Sequence, residues 1–177
     1  MKPPARIQLR PASVLDATQI AAIYNPYVLE STISFEEQPV SIDEMAGRIA
    51  QILQDQLPWL VACDEDDGGT VLGYACASKW RVRPAYRHSV ETSVYLRPSA
   101  TGRGLGRQLY HALLSQLAAQ GFHTAIGGIA LPNAASVALH EQLGFAKVAH
   151  FTAVGFKSGK WVDVGYWQKM LTQNNHT

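Results

Sequence analysis

Between Glu91 and Glu141 the chain contains no aspartate or glutamate, and inside that acid-free span lies "YLRPSATGRGLGRQLY", Tyr95 to Tyr110. Gly102, Gly104 and Gly106 stand between a strand-like run, "HSVETSVYL", and a run with Leu105, Leu109, Leu113 and Leu117 at i, i+4 spacing. A strand, a glycine turn and an amphipathic helix, with Arg103 and Arg107 beside them, present free backbone N–H groups at a positively polarised helix start. That combination is an anion site. The alternative is a plain connection whose glycines only turn the chain. Two nucleotide loops are excluded by what is missing. The spacing is not G-x-G-x-x-G, and no acid follows about 20 residues on to hold a dinucleotide ribose. No Gly-Lys-Ser/Thr follows the glycines for a triphosphate.

The rest of the chain supplies the elements around that turn. "ARIQLRPA" alternates like a strand, and from Asp16 a helix is expected with Ile20, Ile23 and Tyr27 on its apolar face and Pro26 as its break. "STISFEEQPVS" is a polar loop around Ile33 and Phe35. Ser41 followed by Glu44 is a capping-box signature for a second helix carrying Met45, Ile49 and Ile52. "WLVAC" and "TVLGYACASKW" are apolar strands joined by the acidic turn "DEDDGG", which predicts a hairpin. That turn lacks the ligand spacing and terminal glutamate of a calcium loop. Beyond the glycine helix, stopped by Gly121, come a buried-looking strand "TAIGGIAL" and a helix "AASVALHEQL" capped by Asn133 and ending at Gly144. The strands "KVAHFTAVGFKSG" and "WVDVGYWQKML" close the chain. The order β-α-α-β-β-β-α-β-α-β-β, without repeat or linker, predicts one mixed α/β domain over 1–177 with its core at about 6–171.

Composition narrows the partners. With 47% hydrophobic and 16% charged residues and a formal charge of +1, the chain reads as a globular protein with no field for nucleic acid or a membrane surface. Cys63 and Cys76 sit alone in apolar runs, so reduced core thiols are expected and no zinc or other metal site. "MKPPARIQLR" has no apolar h-region, and no run approaches the roughly 18 apolar residues of a spanning helix. A cytoplasmic location is the expectation.

"VYLRPSATGRGLGRQLYHALL" resembles the acetyl-CoA signature of the GNAT superfamily of N-acetyltransferases, and "PNAASVALHEQLGF" resembles that superfamily's next motif, an Asn-initiated helix ending in Gly-Phe. "WRVRPAYRHSVETSVYL" and "VGFKSGKWVDVGYWQ" resemble the phosphinothricin acetyltransferase group, whose relatives act on methionine sulfoximine and methionine sulfone. The likeness runs from about Ile7 to Leu171. It departs from the superfamily at Thr101, where the pyrophosphate signature usually begins with Gln or Arg. It departs again at His140, where most members carry Tyr but the phosphinothricin group has His.

The resemblance implies the GNAT fold, a mixed, mostly antiparallel twisted sheet with about four flanking helices, and acetyl-CoA as co-substrate. It implies CoA pyrophosphate on the amides of Gly102, Arg103, Gly104, Leu105, Gly106 and Arg107. It also implies pantetheine pairing with Val94, Tyr95 and Leu96, and a contact from Asn133, which is equally an N-cap. Glu91, the only acid on its strand, is the expected general base, with a surface carboxylate or ion-pair partner as the alternative. His140 is expected to protonate the thiolate or relay a proton, with a structural histidine as the alternative. Arg81 and Arg83 are expected to hold the oxyanions of an amino-acid-like acceptor, with Glu91 and Thr92 at its amino end. Phe35 is expected to cover the acceptor pocket or to staple into the core. Lys157, Trp161 and Asp163 are expected near the acceptor site and a homodimer interface. The expected activity is acetylation of the α-amino group of a small amino-acid analogue. Competing readings are a GNAT acting on a peptide N-terminus or polyamine, and a non-catalytic acetyl-CoA sensor.

Overall fold

Apolar runs become strands and helically spaced ones become helices. The computed structural model, which describes residues 6–171, joins seven strands in one sheet of order β1-β2-β3-β4-β5-β7-β6. The strands are β1 (Ile7–Pro11), β2 (Trp59–Asp64), β3 (Thr70–Lys79), β4 (Ser89–Leu96), β5 (Thr124–Leu131), β6 (Ala146–Lys157) and β7 (Lys160–Met170). Every neighbouring pair is antiparallel except β4 and β5. The acidic turn does join β2 to β3 as a hairpin, with Gly68 and Gly69 at positive φ.

Four helices flank the sheet: α1 (Ala17–Glu30), α2 (Ile42–Gln54), α3 (Leu105–Ala119) and α4 (Ala134–Gln142). The leucine stripe of α3 packs with Leu60, Ala75 and Val90 on one sheet face. Ile20, Ile23 and Val28 of α1 and Met45 and Ile49 of α2 pack with Val61, Val71 and Tyr74 on the other. Period-two alternation in β4 therefore sends Val90 and Thr92 toward α3, while Tyr95 faces α1, where its ring packs on Tyr24 and Tyr27.

Pro26 does not break α1, contrary to the sequence expectation; the helix runs through it to Glu30. Buried residues lie on both sides of it, Ile20, Ile23 and Tyr24 before and Val28 after. Their burial offsets the backbone bond that proline removes. Asn25 stabilises the same turn from outside by a two-way exchange with the backbone of Val40, at 2.8 and 3.0 Å. Asp16 begins the helix region but spends its carboxylate on Arg10 of β1, at 2.7 and 2.9 Å, and on the Ser13 amide, so its pKa is lowered. Ser41 caps α2 by accepting from the Glu44 amide.

Leu113 lies at the centre of the α3 face and is fully buried. Leu113→Ala is expected to cost about 2–5 kcal/mol, measured as a lower urea midpoint with an unchanged m-value.

Candidate active site

β4 and β5 pair in parallel for only three residues, Ser89 to Glu91 against Thr124 to Ile126. Beyond them β4 keeps its pairing with β3 out to Leu96 opposite Gly73, and β5 keeps its pairing with β7 out to Leu131 opposite Asp163. The two facing edges are thus left unpaired around a wedge-shaped groove of about 290 Å³. An unpaired strand edge is a template for any ligand carrying amides. Val94, Tyr95 and Leu96 line one side of the groove, Ile129 and Ala130 the other, and Asn133 and His140 of α4 close it. Backbone groups alternate sides along a strand: Ser89 and Arg97 bond toward β3, so Tyr95 does too, and the groove edge belongs to Val94 and to Leu96, whose carbonyl already accepts from the Tyr27 hydroxyl at 2.7 Å.

Two glycines mark the point of parting. A Cβ on Gly127 would lie 2.3 Å from His140 Nε2, and one on Gly128 would lie 3.3 Å from Glu91 Oε1 and 3.1 Å from the Tyr166 ring. Successive strand residues face opposite ways, so one glycine makes room for the histidine on the α4 side and the next for the carboxylate on the far side.

At the wide end of the groove the loop turns through Gly102 (φ +73°) and Gly104 (φ +75°), conformations that favour glycine. Gly104 is the N-cap of α3 and offers no side-chain acceptor, so the first amides of the helix point outward without a cap. Gly106 is buried, its Cβ position 3.5 Å from Leu96 and 3.6 Å from Leu139. Arg103 and Arg107 are exposed beside these amides. The donor set and the bare glycine surface fit a pyrophosphate. Thr101 turns its hydroxyl onto the Pro98 carbonyl at 2.8 Å, within the loop itself.

His140 is buried and fully bonded. Nδ1 lies 2.7 Å from the Ser136 carbonyl, which can only accept, so Nδ1 carries the proton and Nε2 accepts from the Tyr110 hydroxyl at 2.9 Å. Thr92 Oγ1, 2.7 Å from the same hydroxyl, completes a chain Thr92–Tyr110–His140–Ser136. Burial lowers the His140 pKa and raises that of Tyr110, which keeps the imidazole neutral and the phenol protonated near neutral pH. Asn133 Oδ1 accepts from the Ser136 amide at 3.1 Å, so the N-cap is real and its Nδ2 remains for the groove.

On the opposite face Glu91 borders a chamber of about 790 Å³ with Arg81, Ser93, Phe35 and Tyr166. Among the described residues its carboxylate makes no hydrogen bond and no ion pair within 4 Å. Burial raises its pKa, and the charge of Arg81 pulls part of that back. Arg81 is held by stacking on Trp80, 4.0 Å from the ring centroid, and by donating to the Trp80 carbonyl. Trp80 in turn packs edge-on against Tyr166. A desolvated, unpaired carboxylate beside a forked cation can take a proton from an ammonium whose acidic end is bound.

Three residues expected at the acceptor do not line the chamber with Glu91. Thr92 faces α3 and bonds Tyr110, because its neighbour Glu91 takes the chamber face of the strand. Arg83 is exposed and borders a separate depression with Tyr86, Arg87 and Phe122, around the turn that follows Arg81. Lys157 is buried and donates to the carbonyls of Val28 and Ser34 at 2.7 and 2.6 Å, away from any acceptor. Phe35 does border the chamber, and Asp163 pairs with His150. Tyr110 and the Gly127-Gly128 pair escaped the sequence reading. Tyr110 falls inside a leucine stripe that announces only core, whereas paired glycines in a strand run do signal close approach.

Residues 9–165 match the acetyltransferase (GNAT) domain family. The chain is 41% identical to a phosphinothricin N-acetyltransferase of Streptomyces viridochromogenes, across 96% of this chain and 91% of the relative. It is 39% identical to an L-methionine sulfoximine/L-methionine sulfone acetyltransferase of Pseudomonas aeruginosa, across 92% and 94%. A crystal structure of a phosphinothricin acetyltransferase from Sinorhizobium meliloti in complex with acetyl-CoA superposes with a TM-score of 0.90 at 40% identity, covering 97% of this chain and 91% of that one. The chain belongs to the GNAT acetyltransferase family. It is an acetyl-CoA-dependent N-acetyltransferase, and no helix among the described residues is long and apolar enough to cross a membrane.

Proposed function

We propose that the chain transfers the acetyl group of acetyl-CoA directly to the α-amino group of a small amino-acid analogue of the phosphinothricin, methionine sulfoximine or methionine sulfone kind. The observation that carries this reading is Glu91, an unpaired and partly desolvated carboxylate facing a chamber at the point where β4 and β5 part. An ammonium cannot attack until a proton leaves, so a base of raised pKa is what such an acceptor needs. Arg81 supplies the fork for a carboxylate, phosphinate or sulfonyl oxygen. A polyamine would meet that same cation, and a pure sensor has no use for a base. The names of the relatives support the acceptor class.

Acetyl-CoA supplies an activated acyl carbon, and the chain's residues do the rest. The amides of Gly102 to Arg107 bind the pyrophosphate. The open edge of Val94 and Leu96, with Asn133 beside it, aligns the pantetheine arm, and an N–H of that edge polarises the carbonyl. Glu91 takes the first ammonium proton directly or through water, the C–N bond forms as the C–S bond breaks, and the nitrogen's second proton is the one that ends on the departing sulfur. The sulfur leaves as thiol, and we assign the relay of that proton to His140, whose neutral Nε2 can take a proton and hand it on.

Glu91→Gln is expected to lower kcat by about 10²- to 10⁴-fold while the Kd for acetyl-CoA stays unchanged, read by CoA release over a panel of the three acceptors. Because Glu91 works ionised and its pKa is raised, the acid limb of kcat/KM lies above the ordinary carboxylate range. Arg81→Ala removes the one lowering influence and moves that limb to higher pH. Full activity of Glu91→Gln on the panel contradicts the reading.

We also propose that the chain is a homodimer joined through the β6–β7 side. β6 is a sheet edge, and Val148, Phe156 and Trp161 are exposed on this hairpin by 56–68%. Sedimentation equilibrium is expected to give twice the chain mass, and a monomer at micromolar concentration contradicts it.

A further inference from the structure

The wall of the acceptor chamber opposite Glu91 is a stretch without helix or strand, residues 31–41, between α1 and α2. Irregular backbone holds a fixed wall only if something outside it supplies the restraint. Three restraints converge on Ser34, Phe35 and Glu36. The Tyr24 hydroxyl bonds Ser34 Oγ and Glu36 Oε1 at 2.7 and 2.8 Å, and Arg48 forks onto both Glu36 oxygens at 2.7 and 3.0 Å. The other two come from the far end of the sheet, from β6.

The first is Lys157, 4% exposed, whose ammonium donates to the carbonyl of Val28 in the last turns of α1 and to that of Ser34 in the wall. One cation with several donors thereby ties two separate backbone segments to the strand. A buried ammonium lowers its own pKa by desolvation, as Lys157 does, and its hydrogen bonds here go to backbone oxygens rather than to a carboxylate. Its two carbonyl partners give it a positioning task in the wall.

The second is Gly155. Its φ is not in the left-handed region, so backbone freedom does not require a glycine here; space does. A Cβ at this position would stand 2.2 and 2.4 Å from two carbons of the Phe35 ring. The ring lies in the slot that the missing side chain leaves, with part of its surface facing the chamber beside Phe151 and Val154.

We propose that Phe35, seated on Gly155 and held by Lys157, is the gauge that reads the length of the acceptor's side chain. Gly155 and Lys157 are its positioning residues. The inference rests on the reading that the acceptor amine meets Glu91 in this chamber. Gly155→Ala pushes the ring out of its slot and into the chamber, so long acceptors lose more than short ones. Lys157→Met leaves the Ser34 and Val28 carbonyls without a donor and loosens the wall without touching the acetyl-CoA groove.

The test is a double-mutant cycle of Phe35→Ala and Gly155→Ala, with methionine sulfone and its one-methylene-longer homologue ethionine sulfone as acceptors. Gly155→Ala alone is expected to lower the kcat/KM ratio of the longer to the shorter acceptor about tenfold, the low end of what one methylene discriminates. In the Phe35→Ala background, where no ring overlaps the new methyl, the same substitution is expected to leave the ratio unchanged. That double variant has no steric conflict and keeps the test alive if Gly155→Ala alone folds poorly. Lys157→Met is expected to raise the acceptor KM about tenfold with the acetyl-CoA KM unchanged. An equal effect of Gly155→Ala with and without Phe35, or a parallel rise of both KM values in Lys157→Met, overturns the proposal while leaving the acetylation reading intact. Turnover of neither acceptor by the wild-type protein overturns both.

Discussion

The parting of β4 and β5 after Glu91 and Ile126 is the constraint on which the rest of the site depends. A continuous parallel pair would satisfy its own amides and leave no room for a ligand. Here each strand stays paired on its outer side, with β3 and with β7, so the opening costs the sheet only one ladder and is rigid on both flanks. The same point fixes the chemistry. Gly127 and Gly128 stand at the fork, and their absent side chains admit His140 from one face and Glu91 from the other. β4 thus presents a carboxylate on one face of the fork and α4 a buried imidazole on the other.

The two faces differ in chemistry. On the α3–α4 face Thr92, Tyr110 and His140 satisfy one another by hydrogen bonds beside the groove. Of the two acids that line the chamber on the other face, Glu36 is committed to Arg48, and among the described residues Glu91 has no hydrogen bond or ion pair. Unpaired charge is costly in a folded chain unless it is used. That contrast between a spent carboxylate and an unspent one in one chamber is what the proposed acceptor site rests on.

Much of this was legible in the sequence, because the groove is built from local signals. The glycine turn, the leucine stripe, the Asn133 cap and the acidic hairpin each follow from spacing and turn chemistry, and the structure has all of them. What escaped is what depends on direction across long separations. Thr92 and Glu91 are adjacent in sequence yet belong to opposite faces. Lys157 is expected near the acceptor from its place in the closing motif but is drawn inward by two carbonyls more than a hundred positions away. Pro26 signals a helix end, and burial on both sides of it overrides the signal.

The central claim, that the unpaired edge of β4 and the uncapped start of α3 are where acetyl-CoA binds, is tested most directly by residue-resolved amide hydrogen exchange with and without acetyl-CoA. The account predicts slowed exchange at Val94 and Leu96, whose amides face the groove, and across Gly102 to Arg107, with β1 and β2 unchanged. Protection confined to other segments, with those amides exchanging as fast as in the free protein, would contradict it.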